Sequence, residues 1–154
     1  MTDVRLPWPT PDSRAQLWAP QFEDMHEILK DLTVPEGLQQ EAESVLTTAI
    51  ELIRFSFYRH EFSAVGAAVS LIAIEAALRD RYGRGRLVDY IQKARDDGLL
   101  TAEEADLLDT AGRPIRNQFA HGELTHVTLT MPMAVNIVAT SIRLLTVLHV
   151  PSQP

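Results

Sequence analysis

Apolar residues recur at helical rather than strand spacing along most of this chain. Leu38, Ala42, Val45, Leu46, Ala49, Ile50, Ile53 and Phe57 follow steps of three and four, which predicts an amphipathic helix over 36–58. A second long helix is predicted from Glu61 to Tyr82, with Val65, Val69, Ile72, Ala76 and Leu78 turned inward and Gly83 and Gly85 closing it. Leu87, Tyr90, Ile91 and Ala94 make a shorter helix that stops at Gly98. Thr101 with Glu104 forms a capping-box pattern that opens the next one. Pro114 interrupts that pattern, because it lacks a backbone donor and pushes Arg113 away from helical geometry, so a kink or a fresh helix start is expected there. From Met131 to His149, Val135, Ile137, Val138, Ile142, Leu144, Leu145 and Leu148 encircle much of the helix. Such a helix belongs at the centre of a core or in an interface, and both roles are expected here.

The flanks read differently. Residues 1–20 hold Pro7, Pro9, Pro11 and Pro20 with Trp8 and Trp18, a composition that predicts an extended arm whose tryptophans are candidates to dock on the core. Gln21 to Leu32 reads as a short acidic helix ended before Pro35. Val127, Thr128, Leu129 and Thr130 fit a short extended piece, but one such run makes no sheet. The prediction is an all-α bundle of about five helices, a single domain over residues 21–150, with the N-terminal arm before it and a tail at 151–154.

Composition narrows the class. A chain of 154 residues with 45% hydrophobic content can bury one core. Zero cysteines exclude disulfides, thiolate metal sites and a cysteine nucleophile, and fit a cytosolic setting, so a cytoplasmic location is expected. No early apolar run resembles a signal peptide. The later apolar helices read as interrupted by charge before membrane-spanning length, so no membrane partner is expected. A net charge of -7 argues against a broad, non-specific nucleic-acid surface. Yet Arg79, Arg81, Arg84 and Arg86 fall in one stretch, which is either a local basic patch or a solvated helix end and loop.

Candidate chemistry concentrates in Arg116-Asn117-Gln118-Phe119-Ala120-His121-Gly122. Arginine offers a permanent charge and a fork of donors suited to a phosphate, and histidine exchanges protons near neutral pH. Together they suit work on a phosphodiester. Arg116 and His121 lie about 140° apart around a helix, whereas Asn117 and His121 share a face. A cleft beside that edge, reached by the long arginine stem, would hold all three. Gly122 is placed to end the helix, leaving His121 in the last turn, where the dipole suits a proton donor. The five histidines form no tight ligand spacing, so neither metal nor cofactor is expected. Ser56 and Ser70 lack a nucleophile-elbow context, and Arg84-Gly85-Arg86 lacks the lysine and preceding strand of a phosphate loop.

Arg116-Asn117-Gln118-Phe119-Ala120-His121 resembles the Arg-(four to six residues)-His signature of the HEPN superfamily, in which a polar residue often follows the arginine. Ala73-Ile74-Glu75-Ala76-Ala77-Leu78-Arg79 is similar to that family's alanine-, leucine- and glutamate-rich helix, and Leu87–Gly98 with Leu99–Ala111 to its connecting helices. The likeness covers residues 36–149. It implies a HEPN-like bundle and a metal-independent endoribonuclease of toxin or defence type, in which the RNA's own 2′-hydroxyl attacks the adjacent phosphate. His121 would move protons, Arg116 would stabilise the phosphorane and Asn117 would position the phosphate or the histidine, with Glu75, Arg79 and Arg113 in support. One signature per chain implies a symmetric homodimer that brings two together, and a toxin implies an inhibitory partner of antitoxin type. Glu123 stands where some family toxins carry a tyrosine that is modified by a partner enzyme, which argues against that regulation.

Plainer roles fit the same residues. Glu75 is either a group that orients Arg116 or one half of an ordinary interhelical ion pair, since a carboxylate near an apolar face needs a partner. Arg116 and His121 also fit a surface arginine and a helix-capping histidine. The rival to the enzyme is therefore a non-catalytic helical module for dimerisation, regulation or nucleotide binding, and the acidic net charge favours it.

Overall fold

The fold comes from a computed structural model that describes Arg5, residues 7–123 and residues 129–149. It is all-α: among the described residues there is no strand, and the helices are α1 (Asp24–Leu29), α2 (Gln40–Phe55), α3 (Glu61–Tyr82), α4 (Leu87–Asp96), α5 (Ala102–Leu107), α6 (Arg113–Ala120) and α7 (Met131–His149). Val127 and Thr128 of the expected extended piece, and the tail at 151–154, lie outside the described residues, and Leu129 and Thr130 are not in a strand. α3 is the axis of the bundle, packed most extensively on α2 and α7, then on α6 and α4.

The inward face of α3 is not the one its larger side chains suggest. Ile72 and Ala76 are exposed and Val65 and Val69 half-buried, while Ser63, Ala64, Gly66, Ala67, Ala68, Ser70, Leu71, Ile74, Glu75 and Leu78 are buried. Small residues win because α2 crosses too closely for anything larger: a Cβ on Gly66 would stand 2.7 Å from the Ala49 carbonyl oxygen and 3.1 Å from Ile53 Cγ1. The hydroxyls on this face are satisfied locally. Ser70 Oγ donates to Ala67 O at 2.8 Å, and Ser141 Oγ of α7 lies 3.0 Å from Ser70 Oγ.

By length and composition alone α3 and α7 are long and apolar enough to cross a membrane, so charge does not interrupt them as the sequence suggested. Here they are the two core helices, packed on each other along Ile137, Ser141 and Leu144. α2 is shorter than its periodicity implied. The chain enters it through Gly37, whose φ of 90° starts a turn, and leaves it at Ser56, with Phe57 buried beyond the helix end.

Pro114 is absorbed rather than obeyed. Thr101 and Glu104 form the expected capping box at the start of α5, and the helix then runs into a π-turn over Leu108–Gly112, where the Arg113 N–H reaches back five residues to Leu108 O. Arg113 stays helical, at φ -59° and ψ -44°, so it is not pushed from helical geometry as expected, but of the two outcomes expected there the fresh helix start is the one seen, because α6 begins at Arg113. Widening one turn lets the proline sit in the first turn of α6, where its missing donor costs least. Gly112 faces α3 at this point, and a Cβ there would meet Leu71 Cδ1 at 3.2 Å.

The N-terminal arm is tied down, though not by its tryptophans. Trp8 is 91% exposed and Trp18 46% exposed, whereas Ala15 and Ala19 are fully buried. Ala15 in a single 3-10 turn, Ala15–Leu17, and Ala19 just beyond it fit the available space and leave the indoles outside. Asp12 fastens the segment to the turn between α2 and α3. Its N–H donates to Phe57 O at 2.8 Å, and its carboxylate accepts from His60 N–H at 2.9 Å and from Arg14 Nη2 at 2.8 Å. The Arg14 guanidinium first, then the His60 and Arg14 backbone amides, outweigh burial and hold the Asp12 carboxyl far below the usual carboxylate range.

Candidate functional site

Two helix faces meet to form a groove of about 290 Å³. α3 supplies Ile72, Glu75, Ala76 and Arg79, spaced as one face of a helix, and α6 supplies Arg116, Phe119 and Ala120, spaced likewise. Glu75, only 8% exposed, sits at the base. Arg116 donates to it through both edges of its fork, Nε to Oε2 at 3.0 Å and Nη2 to Oε1 at 3.1 Å. Arg79 approaches the same carboxylate from one turn along, Nη2 to Oε1 at 3.8 Å. Two guanidinium groups on one carboxylate leave a net positive charge at the mouth of the groove. Arg116 Nη1 takes no partner among the described residues, and the side chain is about one-third exposed.

The groove does not gather every candidate. Asn117 and His121 are exposed on the neighbouring face of α6, and neither lines it. This corrects the single cleft expected to hold Arg116, Asn117 and His121, and the cause is the helical geometry itself, which turns their face away from α3. Arg113 is likewise elsewhere, bonded through Nε to Asp109 Oδ1 at 2.9 Å one turn back. The end of α6 is sharply defined. Gly122, at φ 73°, donates to Phe119 O at 3.2 Å while the Glu123 N–H reaches Gln118 O at 2.8 Å, the paired bonds of a Schellman end. His121 caps this end with its backbone N–H on Asn117 O, and its ring has no hydrogen-bond partner among the described residues.

No family model, curated protein or solved structure matches this chain.

Ile72, Ala76, Phe119 and Ala120 were missed as groove residues because apolar side chains read as core. A signal was present nonetheless: Ile72, Glu75, Ala76 and Arg79 form a stripe that mixes two charges with apolar residues, unlike a core stripe. Among the described residues no three His, Cys, Asp or Glu side chains are placed to share a metal ion.

The pair at the base sets an expectation for stability. Glu75→Gln keeps the shape and removes the charge, and should lower unfolding free energy by about 1–2 kcal/mol, toward the low end for a charged hydrogen-bonded pair because water screens Arg116. Urea denaturation of Glu75→Gln, Arg116→Met and the double variant checks this. The double variant should lose less than the two single losses added together; simple additivity would show that the pair contributes no coupling.

Proposed function

We propose that this protein is a HEPN-like endoribonuclease of toxin or defence type, acting in the cytoplasm as a homodimer and restrained by an inhibitory partner protein. The observation that carries this reading is the convergence of Arg116 and Arg79 on the buried Glu75, which holds a guanidinium at the rim of a groove with a net positive charge suited to one phosphodiester. A solvent-facing histidine stands five residues further on, with the helix end fixed beneath it.

In the reaction, the substrate's 2′-hydroxyl oxygen attacks the adjacent phosphorus and the bond to the 5′-oxygen breaks. The ends are a 2′,3′-cyclic phosphate and a free 5′-hydroxyl. Arg116 stabilises the charge that builds on the phosphorane oxygens, with Glu75 and Arg79 holding its fork in place. His121 of one protomer takes the 2′ proton, and His121 of a second copy gives a proton to the departing 5′-oxygen. Asn117, one turn before His121, orients the phosphate or the ring. The exposed ring of His121, turned from its own groove, suits a site completed by a second chain.

The alternative has a specific observation in its favour. Arg116 spends two donors on Glu75, as a clamp between α3 and α6 would, and that fits a non-catalytic module for dimerisation, regulation or nucleotide binding. Incubating purified protein with mixed RNAs separates the two. The enzyme should cut RNA in the presence of a chelator, leave cyclic phosphate ends, spare DNA and sediment as a dimer. Strict dependence on magnesium, cleavage of DNA or a monomer that cuts at full rate would overturn this mechanism.

A further inference from the structure

The chain has a net charge of -7, but the C-terminal end of α3 is rich in arginine. Arg79, Arg81, Arg84 and Arg86 are all exposed between Arg79 and Leu87, with only Asp80 among them. The fold adds a fifth cation that the sequence keeps apart: Lys93 of α4 lies 5.8 Å from the centre of the Tyr82 ring, and the Arg81 guanidinium lies 5.6 Å from the same centre. Two like charges against one ring repel each other, and the ring's negative face offsets only part of that. Carboxylates compensate unevenly. Asp97 accepts the Tyr82 hydroxyl at 2.6 Å and Asp89 pairs with Arg86, whereas Arg84 has no ion-pair partner among the described residues.

Arg79 belongs to both places. It lines the α3–α6 groove beside Glu75; Tyr82, one turn further along the same face of α3, carries the Arg81 guanidinium and Lys93 at its ring, and Arg84 and Arg86 follow past the helix end. We propose that Arg79, Arg81, Arg84 and Lys93 form a track for the phosphate backbone of single-stranded RNA leading to the groove. This rests on the ribonuclease reading above and adds where the strand lies. The chemistry suits a backbone rather than bases: exposed guanidinium and ammonium groups bind phosphates, while the Tyr82 ring, already stacked on Tyr90 and flanked by two cations, offers no free face to a base.

The test uses the full-length chain and dye-labelled oligouridylate and oligoadenylate in a chelator, with fluorescence anisotropy read across a salt series. The protein should bind both oligomers with similar affinity. Arg81→Ala/Arg84→Ala should weaken both several-fold and reduce the slope of log affinity against log salt by about one for each arginine removed. Arg84→Ala alone, at an exposed position without an ion-pair partner, guards against misfolding and should lower the slope by about one. Cleavage of a dinucleotide too short to reach the track should be unchanged in the double variant. Binding that is lost in the double variant supports the track even if the wild-type protein never cuts RNA, in which case the ribonuclease reading alone falls. Absence of RNA binding, an unchanged slope, or binding of phosphatidylserine vesicles in place of RNA would overturn it.

Discussion

His121→Ala is expected to slow RNA cleavage by about 10²–10⁴-fold, the usual cost of losing a proton-transfer group, with no change in helical content or melting temperature. The second half follows from its setting: an exposed ring without a hydrogen-bond partner among the described residues contributes nothing to packing. Arg116→Ala should slow cleavage by about 10²–10³-fold, but it should also lower stability, because it removes both hydrogen bonds to the buried Glu75 and leaves it only Arg79 at 3.8 Å. The two variants are thus separable by a pair of measurements, kcat/KM on RNA and thermal melting followed by circular dichroism. Full activity of both variants after repurification would place the site elsewhere. An active His121→Ala beside an unfolded Arg116→Ala would make the motif a clamp between helices.

Gly66→Val is expected to be the most damaging single change to the fold. In an exposed helix, replacing glycine by alanine gains about 1 kcal/mol. At Gly66 the added carbon stands 2.7 Å from the backbone oxygen of Ala49, which moves only if α2 moves. Overpacking of this kind costs about 1–3 kcal/mol, so Gly66→Ala should be destabilising on balance. Gly66→Val adds two more carbons and should lose about 3 kcal/mol or more, a fall in Tm on the order of 10 °C for a chain of this size. Gly112→Ala is the control. Its added carbon meets the flexible end of Leu71 at 3.2 Å and should be tolerated far better. A Gly66→Ala variant that melts higher than the parent would show that α2 and α3 separate freely.

That contact also explains what the sequence withheld. The limits of α3 and α7 were legible because long apolar runs ended by Gly83 and begun after a polar stretch leave little choice. The face of α3 was not, since periodicity weighs side chains by hydrophobicity, whereas a close helix crossing selects small volume and places Ala, Ser and Gly where Val65 and Ile72 were expected. Pro114 announced an irregularity but not its remedy, because the π-turn depends on how that turn and α6 must both meet α3. At the site, the need of Glu75 for a partner could be read from its place near an apolar stripe. The groove could not, because its apolar half looks like core and its position depends on the crossing of α3 with α6.

The outward tryptophans have a spectroscopic consequence. The protein has two, Trp8 at 91% exposure and Trp18 at 46%, and neither lies in the helical core. Their emission should be red-shifted in the native state and should change little as the bundle melts. What Trp18 will register is release of the segment held by Asp12 at the α2–α3 turn. Fluorescence and helical circular dichroism therefore follow different events in this molecule, and a gap between their denaturation midpoints would mark detachment of the arm before loss of the bundle.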